Sequence, residues 1–143
     1  MNTATNKFDG NYPEGVAVVI GGSGGIGKGI CLALAAHGAR VALSYRSNAS
    51  AAQQTVTELQ QLGHSAEAFA LELSSLEQVS AALGDLQARH QRIHTLVFAA
   101  GANITMTYVG DIDPVEWHQT IDGELNGFFH VIKTAMPLMR QTG

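Results

Sequence analysis

The chain has 143 residues, 45% of them hydrophobic and 14% charged, with 16 glycines. That length holds one core rather than two, and the composition belongs to a globular α/β protein rather than a disordered one. The net charge is -4, and the few Lys and Arg residues are scattered, which leaves no clustered basic face for nucleic acid.

Residues 1–15 are polar, carry Asn, Asp, Pro and Gly, and read as a flexible arm without a signal-peptide pattern. Val16–Ile20 is a short continuous apolar run, the mark of a central parallel strand covered on both faces. A helix is predicted over Ile26–His37, stopped by Gly38, and a second strand over Arg40–Tyr45. Ser50–Leu62 reads as the next helix, with Val56, Leu59 and Leu62 on one face and Gly63 behind it. Ala66–Leu73 is the predicted third strand. Ser75 caps a helix reaching about Arg89, and Thr95–Ala99 is the fourth strand.

A loop over 101–113 leads to Pro114, which starts one long helix running to about Arg140, with Asp113 as its cap. Strand and helix alternate four times. Right-handed crossovers then give an α/β fold with a Rossmann-type doubly wound parallel sheet of strand order 3-2-1-4, a single domain over 16–143. No run of about eighteen apolar residues is present to span a membrane. The single Cys31 has no partner for an internal disulfide and is expected as a buried thiol of the first helix, and the expected location is cytoplasmic.

Between the first strand and the first helix stands Gly22-Ser23-Gly24-Gly25-Ile26-Gly27, which satisfies G-x-G-x-x-G. A pyrophosphate needs backbone amides aimed at it and a helix N-terminus to oppose its charge, and side chains would obstruct that approach. With an apolar strand before it and an alanine-rich helix behind it, the loop predicts a bound dinucleotide. The second strand runs out through Ser44-Tyr45-Arg46-Ser47, without the acid that accepts from the ribose 2′-hydroxyl in NAD enzymes. Arg46 and Ser47 suit a 2′-phosphate instead, so NADP(H) is expected ahead of NAD(H).

His90 and His94 are four residues apart, a metal-ligand spacing on a helix, but no Glu-His or Cys partner accompanies them. They are read as positive decoration of a helix end beside Arg89 and Arg92, and no metal is expected. Asp111 and Asp113 flank Ile112, and Asp113 is better explained as a cap than as half of an acid–base pair.

These residues resemble a short-chain dehydrogenase/reductase, and the sequence is similar to the 3-oxoacyl-[acyl-carrier-protein] reductase branch. The fingerprint Thr-Gly-x-x-x-Gly-x-Gly appears as Ile20-Gly21-Gly22-Ser23-Gly24-Gly25-Ile26-Gly27, with all three signature glycines and Ile for Thr. Asn-Asn-Ala-Gly appears as Phe98-Ala99-Ala100-Gly101. The exchange of both ends of a polar link between strands one and four for apolar residues predicts apolar packing there. The resemblance implies that Gly21, Ser23, Gly24, Gly25, Ile26 and Gly27 surround the pyrophosphate and that Arg46 and Ser47 take the 2′-phosphate. It further implies Glu72 and Leu73 beside the adenine, with Ala99, Ala100 and Gly101 along the nicotinamide ribose.

The implied activity is hydride transfer between NADP(H) and a small-molecule carbonyl or alcohol. Its Tyr-x-x-x-Lys is missing, because the residues four beyond the three tyrosines are Val16, Ala49 and Ile112. The helix asparagine of the family's proton relay falls on Glu124, whose backbone carbonyl could still serve. The resemblance predicts a chain truncated before strand five and inactive in isolation. It also predicts a homo-oligomer through the long helix 114–140. The alternative is a non-catalytic nucleotide-binding or assembly module.

Overall fold

A computed structural model describes residues 12–101 and 106–140. Four parallel strands, β1 (Val16–Ile20), β2 (Val41–Tyr45), β3 (Ala66–Ala70) and β4 (Ile93–Phe98), lie in the order β3-β2-β1-β4, as expected from the alternation of strands and helices. Helices α1 (Gly25–Ala36), α2 (Ala49–Gln61) and α3 (Leu76–His90) make the crossovers; α4 (Pro114–Ile121) and α5 (Gly127–Arg140) follow β4.

Every residue of β1 is buried, because successive side chains of a central strand point into different layers. Val16, Val18 and Ile20 join Val79, Leu83 and Leu86 of α3 and Val131 and Ala135 of α5 in one core. Val19 joins Cys31, Leu43, Val56 and Leu59 in the other, against α1 and α2. Ile20 stands opposite Phe98 in the β1–β4 register and packs in the same core, so the strand pair is joined there by backbone and apolar contact. Cys31 is fully buried, and burial pushes its thiol up to about 11.

The predicted caps Ser75 and Asp113 form, and Asn48, which the sequence did not announce, caps α2. Asn48, Ser75 and Asp113 accept from the backbone amides of Ala51, Gln78 and Val115 at 3.0, 3.2 and 2.7 Å. The strand ends differ from the sequence reading. β3 stops at Ala70, because after Leu71 N–H donates to Tyr45 O the chain turns away: Glu72 Oε1 accepts from both the amide and the hydroxyl of Ser74. β4 begins at Ile93, because Gln91 ends α3 in the left-handed region (φ 65°) and redirects the chain at once.

His94 therefore lies on a strand and does not share a helix face with His90. Its Nδ1 meets Thr95 Oγ1 at 2.9 Å and its ring stacks on Tyr12, while burial and the Arg92 charge lower its pKa. His90 does end a helix, and with Arg89 it grips Glu67 of β3.

The long helix expected over 114–140 is two helices. Asp122–Asn126 form a π-helical turn between α4 and α5, in which Gly127 N–H reaches back five residues to Asp122 O. Asn126 Nδ2 donates to Asp122 Oδ1 at 2.7 Å across that turn. One extra residue per turn shifts the face that α5 presents to the sheet, and hydrophobic periodicity alone does not reveal such a shift. Of the arm expected over 1–15, residues 1–11 lie outside the described residues, and so do 102–105 of the following loop. Among the described residues, no helix is long and apolar enough to cross a membrane.

Candidate dinucleotide site

Parallel strands all deliver their chain at the same edge of the sheet, and the order 3-2-1-4 reverses direction between β1 and β4. The crevice beyond those two carboxyl ends is the switch point where α/β sheets take ligands. The loop from β1 to α1 (21–24), the exit of β2 (46–47), the β3–α3 turn (72–75) and the exit of β4 (99–101) all open at this edge.

The glycine loop is packed tightly on one side and empty on the other. Gly21 has φ +81°, and a Cβ there would stand 2.6 Å from the Ala100 backbone, so the exit of β4 lies directly over the loop. A Cβ on Gly27 would stand 2.1 Å from Gly21 O, and one on Gly22 2.5 Å from Leu43 Cβ. These three glycines are required by the protein's own packing. Gly25 differs, because a Cβ there would meet nothing within 4 Å. Ser23 is half-buried and Gly24 exposed, and Ile26 points a 79% exposed apolar side chain outward from the first turn of α1.

Side chains cap α2, α3 and α4, but none caps α1, whose N-cap is Gly24 and whose first turn carries no acid. Its leading amides thus keep their donor capacity, and the helix dipole there is uncompensated by any side chain. The edge thus presents uncapped backbone donors beside the exposed apolar side chain of Ile26.

Two anchors hold this edge that the sequence reading missed. Ser44, 3% exposed on β2, accepts a 3.0 Å hydrogen bond from Gly21 N–H and so ties the loop to the neighbouring strand. A hydroxyl in an otherwise apolar strand (Val41-Ala42-Leu43-Ser44) was the available signal. On the far side, His130 Nδ1 lies 2.8 Å from Leu73 O, a link across 57 residues that no local pattern announces.

Gly21, Ala99 and Ala100 are brought into contact. Arg46 and Ser47 are exposed after β2, with no side-chain hydrogen bond or ion pair among the described residues, and Gly101 is exposed beyond β4. Glu72 carries its local bonds to Ser74 in the β3–α3 turn, where Leu73 lies beneath α5. Glu124 is half-buried inside the π-helical turn. A separate cleft of about 390 Å³, lined by residues including Tyr12, Arg40 and His90, opens at the opposite end of the strands and belongs to none of these loops.

The family model for short chain dehydrogenases matches residues 15–143. The chain belongs to the short-chain dehydrogenase family. It is 31% identical over 126 residues to the 3-oxoacyl-[acyl-carrier-protein] reductase FabG of Staphylococcus aureus, covering 86% of this chain and 50% of the relative. It is 29% identical over 136 residues to a 2-dehydro-3-deoxy-L-rhamnonate dehydrogenase (NAD(+)) of Sphingomonas sp., covering 95% and 53%. Among solved structures it is similar to a metagenomic short-chain oxidoreductase in complex with NADP. That match has TM-score 0.84 and 30% identity, and covers 90% of this chain and 58% of that one. The chain spans about half the length of the curated relatives it matches.

Proposed function

We propose that this chain is the cofactor-holding part of an oxidoreductase that interconverts a small-molecule carbonyl and its alcohol with NADP(H). The observation that carries the reading is the uncapped N-terminus of α1, opened by Gly25 with its empty front and rimmed by exposed Ile26. A pyrophosphate fits that cradle in both shape and charge.

In this reading the amides around Ser23, Gly24, Gly25 and Ile26 bind the pyrophosphate, while Gly21 and Gly27 let the loop lie close. Arg46 and Ser47 take the 2′-phosphate, supported by their unpartnered exposed side chains and by the lack of an acid at the end of β2. Glu72 and Leu73 border the adenine, and Ala99, Ala100 and Gly101 line the nicotinamide ribose. The cofactor supplies or accepts the hydride. Glu124, at the place of the family's helix asparagine, would hold a proton-relaying water through its backbone carbonyl. One relative is named for NAD(+) and two solved neighbours are complexes with NADP, so the preference rests on Arg46 and Ser47 rather than on kinship.

A second reading is a nucleotide-binding or assembly module without turnover. It is favoured by the apolar side chains that α5 leaves exposed. The exposed apolar side chains of Leu125, Phe128, Phe129 and Met136 support a homo-oligomer through α5, and a cytoplasmic location fits the fold. Fluorescence titration of the purified chain with NADPH and NADH tests the first reading. NADPH is expected to bind more tightly; tighter NADH binding overturns the role of Arg46, and no binding of either overturns the site.

A further inference from the structure

The β3–α3 turn is held from two directions. From within, Glu72 Oε1 accepts from Ser74 N–H and Ser74 Oγ–H at 3.2 and 3.0 Å, which fixes the turn's own shape. From outside, α5 fixes its position. Leu73 O can only accept, so the proton of the 2.8 Å contact sits on His130 Nδ1. Three residues earlier on the same helical face, Gly127 lets Leu73 approach so closely that a Cβ there would stand 2.7 Å from Leu73 Cβ. The π-helical turn immediately before Gly127 sets the register that aims both residues at Leu73.

We infer that His130 is a positioning residue for the adenine end of the site: it sets the height of Leu73 and Glu72 over the crevice from a helix that otherwise serves the core. This rests on the reading of the crevice as a dinucleotide site. The hydrogen bond is directional, so its loss loosens the hold of α5 on the turn's backbone while the apolar packing of Leu73 and the core stays in place. Val131 and Ala135, which anchor α5, are untouched.

The test compares His130→Ala, His130→Asn and His130→Gln. Asn places an N–H at the same number of bonds from Cβ as Nδ1, whereas Gln carries its donor one bond further out. Affinities are measured for NADPH and for 2′,5′-ADP, which presents only the adenine end. Loss of one hydrogen bond should weaken both ligands by about 3- to 10-fold in the Ala and Gln variants, and Asn should recover to within about 2-fold. Wild-type affinity in His130→Ala overturns the inference, as does a loss for NADPH that 2′,5′-ADP does not share, or Gln rescuing as well as Asn.

Amide hydrogen exchange at residues 72–75 of the ligand-free chain supplies a separate arm. His130→Ala should accelerate it and His130→Asn should not; unchanged exchange in His130→Ala also overturns the inference. If the wild-type chain binds neither ligand, the cofactor reading fails on its own, and the exchange arm still decides whether His130 holds the turn.

Discussion

Ser44 Oγ accepts from Gly21 N–H at 3.0 Å, and through that bond the most buried hydroxyl of β2 fixes the first residue of the glycine loop. Gly21 is also the residue over which Ala100 passes, so one amide joins β2, the glycine loop and the exit of β4. Ser44→Ala leaves that N–H without its partner in a part-buried place. A loss of about 1–2 kcal/mol in denaturant unfolding is expected, together with weaker NADPH binding. Unfolding indistinguishable from wild type would mean the bond contributes nothing.

Gly25 and Gly84 form a matched pair, because a Cβ at either would meet nothing within 4 Å. In a helix, glycine is less favourable than alanine by about 1 kcal/mol, so Gly84→Ala in α3 should stabilise the chain by roughly 0.4–1 kcal/mol. Gly25→Ala should cost the fold nothing, yet weaken NADPH binding at least about 10-fold by filling the cradle. Thermal melts and titration of both variants separate the two effects. Equal affinity in Gly25→Ala would show that the open space at α1 is not used.

Among the described residues Arg46 has no partner to lose, so its removal should leave unfolding unchanged. A charge-assisted bond to a phosphate is worth about 1.5–3 kcal/mol. Arg46→Ala should therefore weaken NADPH about 10- to 100-fold and NADH by less than about 2-fold. Parallel losses for both would place Arg46 away from the 2′-phosphate.

Cys31 gives the stability a pH dependence of definite sign. Its thiol is raised from an ordinary value of 9.0 to about 11 when folded, mainly by burial. The folded state thus keeps a proton that the unfolded state gives up. The associated stability is fully present below pH 9.0 and is lost as pH rises through about 11. Cys31→Ala should flatten the decline seen between those values in urea midpoints, and the native thiol should react with aromatic disulfides only on unfolding.

Much of the sheet was legible because its determinants are local. Val16–Ile20 is apolar throughout because both faces are covered, and Ser75 and Asp113 announce the helices they cap. The glycine loop was legible for the same reason, down to its flanks. What the sequence concealed depends on partners distant along the chain or on a change of helical period. The π-helical turn keeps the composition of a helix while changing its phase, so 114–140 read as one element. His94 was misplaced because its spacing from His90 is helical while the left-handed Gln91 between them is not a glycine. His130 and Leu73 meet only because α5 packs on the same face of the sheet as the β3–α3 crossover, and nothing in either segment names the other.

The two edges of the sheet are chemically unlike. At the outer strand β3, Glu67 is clamped by Arg89 and His90, a charged lattice that discourages a further strand from joining. At β4, the outer strand on the other side, the run Ile93-His94-Thr95-Leu96-Val97-Phe98 has no acid or lysine, and burial with the Arg92 charge lowers the pKa of its one histidine. A strand added at β4 would meet a neutral run, whereas one added at β3 would meet a neighbour carrying a charged cluster.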